Sequence, residues 1–234
     1  MRLLVVNPNS TEAMTTSIAA AARLAARPGT EIVAMNPVGG PPAIQGPEDG
    51  AAALPGLFAL LEAETGRNHY DAAIIACFDD TGVWELKARA RLPVIGIGEA
   101  ACHAALLLGQ RFSVVTTLPV SVPVIRENLE RYGFAGRCAA VRACDVPVLD
   151  FEHARASAEA RLAEEIAAAL AEDGDGDGDG DGDGADAIVL GCAGMADLAA
   201  RFTARFGLPV LDGVALAVRS AEALAGTTPA RPRA

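Results

Sequence analysis

Short runs of Val, Ile and Leu alternate with longer alanine-rich segments along the whole chain. The short runs are typical of strands buried on both faces of a parallel sheet, and the longer segments favour helix. Gly or Pro separates most neighbouring segments, as expected where short turns join strands to helices. This alternation predicts an α/β fold in which helices cover parallel sheets.

The pattern predicts eight strands and eight helices. The strands are predicted at residues 3–6, 31–35, 72–76, 94–97, 113–116, 137–142, 187–190 and 210–211. The helices are predicted at residues 11–26, 51–65, 81–91, 99–108, 120–132, 151–171, 195–206 and 214–224.

Three pairs of similar segments recur in the same order along the chain. The pairs are 2–8 with 111–117, 71–77 with 186–192, and 92–96 with 208–212. Any two parallel strands resemble each other, but three ordered pairs at offsets of 109, 115 and 116 favour an internal duplication. We therefore expect two similar Rossmann-like lobes with parallel sheets, related by a pseudo-twofold axis, with the active site in the cleft between them.

The same comparison suggests where the lobes begin and end. We expect the first lobe to contain residues 1–98 and 210–234, and the second to contain residues 99–209. An Asp-Gly repeat at 173–184 has spacings that resemble a calcium-binding loop, but its closing position would be Asp186 instead of a glutamate. Its glycine content and the repulsion between its aspartates predict a flexible, solvated loop.

The net charge and the cysteine content limit which partners the protein can bind and in which cellular compartment we expect it. The net charge is −11 and no cluster of Lys and Arg offsets it, so we expect no nucleic-acid partner and no binding to anionic membranes. No apolar run approaches the ~20 residues of a membrane span. Five cysteines without a CxxC spacing predict reduced thiols, a cytoplasmic protein and no metal site.

Two cysteines occupy equivalent positions in the predicted duplication. Cys77 and Cys192 each follow a predicted strand, where α/β proteins place their functional groups. Across a pseudo-twofold axis, the two sulfurs would approach a ligand from opposite faces. One thiolate can then remove an acidic C–H proton while the other thiol donates one, which inverts the carbon. Helix N-termini after each strand can stabilise the thiolate, so we expect no cofactor and no metal.

Five motifs extend over nearly the whole chain. They are NPNST at 7–11, ACFDD at 76–80 with Gly82 soon after, LPVIGIGEAACHAA at 92–105, VVTT at 114–117 and LGCAGM at 190–195. Together they resemble the hydantoin/allantoin racemase branch of the Asp/Glu racemase superfamily. The resemblance implies cofactor-independent racemisation of a cyclic ureide by Cys77 and Cys192, in an oligomer of identical subunits.

Candidate substrate-binding residues surround these two cysteines in the sequence. The resemblance implies that backbone amides after each cysteine hold the substrate, and side chains at the first strand end of each half can bond ring carbonyl and N–H groups. The predicted residues are Asn9, Ser10, Ile44, Phe78, Asp79, Thr116, Thr117, Ala193 and Gly194. Ile44 lies in a Gly/Pro-rich loop at 39–48 that either closes over the substrate or is an ordinary connection. Asn9 and Ser10 are equally suited to cap the following helix.

Acidic residues near the first cysteine raise a question about its charge. An anion beside a thiol disfavours the thiolate, so we expect Asp79 and Asp80 to cap the next helix or to orient substrate N–H groups. Backbone amides would then face the sulfur. Glu99 follows a predicted strand and is a better candidate for the cleft than His103, which shares its helix face.

The sequence is also compatible with other functions. Amino-acid racemases of the superfamily usually have threonine after each catalytic cysteine, whereas this chain has Phe78 and Ala193, which favours a neutral or weakly acidic ring over aspartate or glutamate. Related folds decarboxylate or isomerise small diacids, and one cysteine can suffice for these reactions. A non-enzymatic module that binds a small ligand is a further alternative.

Overall fold

Two parallel four-stranded sheets form the centre of the molecule. The computed structural model describes residues 1–171 and 184–225. The first sheet contains β1 (Arg2–Val6), β2 (Glu31–Met35), β3 (Ala72–Ile75) and β4 (Val94–Gly96) in the order β2-β1-β3-β4. The second contains β5 (Phe112–Thr116), β6 (Cys138–Ala143), β7 (Ala187–Gly191) and β8 (Val210–Asp212) in the order β6-β5-β7-β8. The identical strand order confirms the predicted α/β fold with two similar lobes.

Nine α-helices surround the sheets in the part of the chain that the structure describes. They are α1 (Glu12–Ala25), α2 (Pro47–Arg67), α3 (Val83–Arg89), α4 (Ile97–Leu108), α5 (Val122–Tyr132), α6 (Asp150–His153), α7 (Arg155–Ala171), α8 (Ala199–Phe206) and α9 (Gly213–Leu224). The helix predicted at 151–171 is divided into α6 and α7, and the one predicted at 195–206 begins as the 3-10 helix Ala193–Leu198. α2 starts four residues earlier than predicted because Pro47 takes the first helical position, where its missing N–H costs nothing.

The largest core cluster joins the two lobes. It combines fully buried side chains of the first sheet, such as Leu3 and Ile74, with those of the second, such as Val114 and Val189. α4 and α9 pack against each other within this cluster. Their starts approach so closely that a Cβ on Gly213 would lie 2.5 Å from the carbonyl oxygen of Ile97. The contact requires glycine at this position.

One predicted lobe boundary is wrong. The sequence predicts that residues 210–234 belong to the first lobe, but β8 pairs with β7 in the second sheet, with Val189 opposite Leu211. The physical reason is the duplication itself, because residues 208–212 repeat 92–96, which supply the edge strand of the first sheet. The helix that follows β8 does reach the first lobe, because α9 packs against α1, and α4 packs in turn against β7 of the second lobe.

Two further sequence predictions concern the Asp-Gly repeat and membrane-spanning segments. The predicted flexible loop at 173–184 lies outside the described residues, except for Gly184. Among the helices of residues 1–171 and 184–225, none has the length and apolar character needed to cross a membrane.

Candidate active site

Cys77 and Cys192 line one small cavity between the two lobes. Each cysteine follows the third strand of its sheet, β3 or β7, and both strands lie next to the first strand of their sheet. The parallel register therefore brings residues after β1 and β3 together at one side of the cavity, and residues after β5 and β7 together at the other.

Most of the predicted site residues lie on this cavity. Those that line it with the cysteines are Asn9, Ile44, Phe78, Asp79, Thr116, Thr117 and Ala193. Two do not line it. The Ser10 hydroxyl donates to the carbonyl oxygens of Gly40 (3.1 Å) and Pro41 (3.2 Å), so it holds the loop at 39–48. Gly194 contributes its backbone N–H, which donates towards the sulfur of Cys192.

Sequence reasoning missed six cavity residues. They are Asn7, Met14, Ala76, Ser121, Val148 and Gly191. Asn7 lies in the NPNST motif beside the predicted Asn9, and its side-chain amide donates to the Asn9 amide oxygen at 2.8 Å. Ser121 and Val148 belong to connections of the second lobe, and neither carries a sequence signal for the site.

The loop at 39–48 closes one side of the cavity. The Gln45 side-chain oxygen accepts a hydrogen bond from the backbone N–H of Val148 at 3.0 Å, which ties the loop to the second lobe. The enclosed volume is about 30 Å³, far below the hundreds of Å³ of an ordinary ligand pocket. Entry of an organic ligand therefore requires this loop or the lobes to move.

The sulfur of Cys77 has two hydrogen-bond donors. The Thr81 hydroxyl donates to it at 3.5 Å, and the backbone N–H of Asp79 also faces it. Burial and the nearby Asp79 charge nevertheless raise the pKa of the Cys77 thiol far above its usual value. The donors lower the cost of a thiolate, but the resting thiol holds its proton.

Cys192 has a similar environment with one difference. Burial, followed by the Asp79 charge, raises the pKa of its thiol to about 12, while the Gly194 N–H acts in the opposite direction. No hydroxyl donor to this sulfur is seen among the described residues, and the position equivalent to Thr81 is Ala196. The two sulfurs therefore share backbone donors and differ in their side-chain donors.

Asp79 is a third titratable group of the cavity. Burial raises the pKa of its carboxyl to about 7, although the Ser121 hydroxyl donates to it at 3.3 Å and the Gly46 N–H donates as well. Asp79 caps no helix, and its backbone amide faces the Cys77 sulfur, as expected from the sequence. Its carboxyl thus faces the cavity with a proton affinity suited to neutral pH.

Asp80 has a different role from the one expected. Its carboxylate accepts from the backbone N–H groups of Gly98 (3.0 Å) and Glu99 (2.7 Å). It therefore caps α4, and not α3, the next helix in the sequence. Burial raises the pKa of this carboxyl to about 7, against the effect of hydrogen bonds from Tyr132, Gly98 and Glu99.

Glu99 and His103 lie away from the cysteines. Both line a separate surface cavity of about 440 Å³ beside α4 and α9, which shares no residue with the cysteine cavity. Glu99 forms an ion pair with Lys87 there, so its predicted place in the cleft is wrong. The reason is that α4 turns away from the cleft directly after its capped start. Within the described ranges, no group of three His, Cys, Asp or Glu side chains is arranged to hold a metal ion.

Comparison with known proteins decides the family. The sequence matches the family model described as Asp/Glu/Hydantoin racemase over residues 3–221. The chain belongs to the Asp/Glu/Hydantoin racemase family. Within this family, the hydantoin racemase of Rhizobium meliloti is 43% identical over 226 residues, which cover 97% of this chain and 89% of that protein.

Solved structures of the family agree with this assignment. An allantoin racemase from Klebsiella pneumoniae is 44% identical with a TM-score of 0.88, over 96% of this chain and 87% of that one. The allantoin racemase from Pseudomonas fluorescens is 38% identical with the same TM-score of 0.88, over 96% of this chain and 90% of that one. These similarities confirm the resemblance identified from the motifs and the prediction of a racemase, which is an isomerase.

Proposed function

We propose that this protein racemises a 5-substituted hydantoin or allantoin without a cofactor, using Cys77 and Cys192 as the two bases. The observation that carries the proposal is that cysteines from equivalent positions of two duplicated lobes line one cavity. The relatives described above as hydantoin and allantoin racemases support the choice of a cyclic ureide. Both rings have an acidic C–H between a carbonyl carbon and a nitrogen.

In the proposed reaction, one cysteine thiolate removes the proton from this carbon, and the electron pair moves onto the ring carbonyl oxygen as an enolate. The thiol of the other cysteine then donates its proton to the opposite face of the carbon. The product is the mirror image, and the two sulfurs have exchanged protonation states. Hydrogen bonds to the sulfurs from Thr81 and from the amides of Asp79 and Gly194 lower the cost of the thiolate.

Asn9 and Asp79 are suited to orient the ring. The Asn9 side-chain oxygen accepts from the amides of Asn7 and Thr11, which leaves its N–H₂ group against the Met14 sulfur at 3.5 Å. Sulfur is a weak acceptor, so a ring carbonyl would be a better partner. The Asp79 carboxyl can accept from a ring N–H. Thr116 is less available, because its hydroxyl already donates to the Gly191 carbonyl at 2.9 Å.

The test incubates L-5-benzylhydantoin and one enantiomer of allantoin with the protein in deuterated water. We expect loss of optical rotation together with deuterium incorporation for at least one of them. Cys77→Ser and Cys192→Ser should each abolish racemisation, whereas Cys138→Ser, on the far strand β6, should retain it. Racemisation at the native rate by Cys192→Ser would exclude the two-base mechanism and favour chemistry that needs one cysteine. No exchange with either substrate would contradict the proposed function.

The assembly of identical subunits and the cytoplasmic location are part of the same proposal. Exposed leucines support an association surface, since Leu107 and Leu108 of α4 are 87% and 57% exposed. All five cysteines are free, in keeping with a reducing compartment. Light scattering coupled to gel filtration measures the assembly, and a monomer at micromolar concentration would contradict it.

A further inference from the structure

Three polar side chains along one face of α5 bind the residues that follow Cys77. The Ser121 hydroxyl, just before the helix, donates to the Asp79 carboxylate at 3.3 Å. The Asn128 side-chain amide donates to the Asp79 backbone carbonyl at 2.8 Å, and the Tyr132 hydroxyl donates to the Asp80 carboxylate at 2.6 Å. Spacings of seven and four residues place the three donors on the same helix face.

These hydrogen bonds cross from one lobe to the other. α5 follows β5 and packs against β6, so it belongs to the second sheet. Its Ile125 and Leu129 side chains are buried in the core that the lobes share, which holds the helix rigidly in place. The Cys77 loop, in contrast, extends from β3 of the first sheet.

The Cys77 loop has a backbone conformation that needs such support. Asp80 has a φ of 48°, in the left-handed region that costs a non-glycine residue about 1 kcal/mol. Its carboxylate is held by Tyr132 and by the start of α4, and its N–H donates to the Cys77 carbonyl at 3.0 Å. Such conformations persist where surrounding contacts enforce them.

The Cys192 loop is held from within its own lobe. The carbonyl of Gly194, equivalent to that of Asp79, accepts from the Arg155 guanidinium at 3.4 Å. Arg155 is the first residue of α7, which packs on β5 and β6. Both cysteine loops are therefore positioned by the second lobe, one by α7 and the other, across the cleft, by α5.

We propose that Asn128 and Tyr132 are positioning residues that hold the Cys77 loop opposite Cys192. This inference rests on the proposed function, because the opposition of two sulfurs matters only if both exchange protons with one carbon. The reason is geometric: an error of about 1 Å in the place of a catalytic group can cost about a hundredfold in rate. α5 sets the position of Cys77 relative to the reacting carbon and does not set the position of Cys192.

The experiment measures each cysteine separately. In a Cys192→Ala background only Cys77 can exchange the substrate C–H with deuterated water, and in a Cys77→Ala background only Cys192 can. Asn128→Ala and Tyr132→Phe should each slow the Cys77 exchange about tenfold or more, while exchange by Cys192 stays within about twofold. Equal slowing of both cysteines, or of neither, would overturn the proposal. Tyr132→Phe keeps the ring that stacks on Trp84 at 5.3 Å, so we expect this variant to fold.

A second readout does not depend on the substrate. Alkylation by iodoacetamide, followed by peptide mass spectrometry, gives the pH profile of each thiol. We expect Asn128→Ala to shift the profile of Cys77 alone, and Glu127→Gln, an exposed neighbour on α5, to shift neither. If the wild type exchanges no proton, the proposed function fails, and the alkylation profiles still decide the role of α5. A shift at both cysteines or at neither would refute it.

Discussion

The residues nearest to the two sulfurs differ although the lobes that carry them are duplicates. Cys77 receives a hydrogen bond from the Thr81 hydroxyl, and Asp79 follows it at the position where Gly194 follows Cys192. The acidic side chain raises the pKa of both thiols, while Thr81 favours the thiolate of one. Duplication therefore supplied two cysteines, and single side chains made their chemical environments unequal.

The raised pKa of Asp79 predicts a stability effect with a definite sign. Its carboxyl has a pKa of about 7 in the folded protein against 3.8 for an unperturbed group, so the folded state binds its proton more tightly. This contribution to stability is present below pH 4 and is lost as pH rises to about 7. The free energy of unfolding of Asp79→Asn should therefore rise relative to that of the wild type, by up to about 1.4 kcal/mol per pH unit across this window.

Urea denaturation at half-unit steps from pH 4 to 8 checks this prediction. Because the other buried carboxyls are common to the variant and the wild type, the difference between their free energies of unfolding reports on Asp79 alone. The exposed Glu62→Gln provides the control. A difference between Asp79→Asn and wild type that stays constant with pH would show that the carboxyl is not desolvated.

At the scale of elements, two equivalent helices are capped by different residues. Asp212 caps α9 with its own side chain, which accepts from the amides of Val214 (2.8 Å) and Ala215 (3.0 Å). At the equivalent start of α4 the residue is Gly96, and the carboxylate comes from Asp80 instead. A Cβ on Gly96 would lie 2.1 Å from an oxygen of Asp80. The start of α4 is thereby joined to the Cys77 loop.

Gly96→Ala should displace the Asp80 carboxylate from α4. We expect a loss of about 1 to 3 kcal/mol in the free energy of unfolding, as for other overpacked sites, together with altered alkylation of Cys77. Asp212→Ala removes the equivalent cap of α9 and should cost about 1 kcal/mol without affecting Cys77. Denaturation and thiol alkylation of both variants are the measurements. If both variants changed the alkylation of Cys77 equally, this result would contradict the link between the start of α4 and the Cys77 loop through Asp80.

At the scale of the whole molecule, the lobes are joined by a common core. α9 follows the second sheet but packs against α1 of the first, and α4 follows the first sheet but packs against β7 of the second. The cavity lies where these lobes meet, so its geometry depends on their relative position. We expect a core shared in this way to make both lobes unfold together.

Val218→Ala tests this cooperativity. Val218 is fully buried in α9, and the substitution should cost roughly 2 kcal/mol. Trp84 fluorescence reports on α3 of the first lobe and on its contact with Tyr132 of the second, whereas far-ultraviolet circular dichroism reports on the whole chain, and both transitions should shift equally. Leu24→Ala, at a side chain that is 90% exposed, should change stability by less than about 0.5 kcal/mol. Separate transitions would show that the lobes fold independently.

Local sequence patterns determined the secondary structure and the duplication of this protein. All eight predicted strands are present, and the motifs around Cys77 and Cys192 identified the family, because strand runs and cysteine contexts are contiguous in sequence. The same repeats placed both cysteines at equivalent strand ends. Most of the predicted substrate-binding residues lie on the cavity for the same reason, since all of those on it except Ile44 lie at or just after the ends of β1, β3, β5 and β7.

Only the tertiary structure decided how the two halves are held together. Asn128 contacts Asp79 across 49 residues, and Tyr132 contacts Asp80 across 52. The capping of α4 by Asp80 and the place of Val148 on the cavity likewise join distant segments. Periodicity describes which face of an element is buried, but it contains no information about which remote side chain will meet that face. The orientation of the two cysteines is therefore a property of the packed lobes.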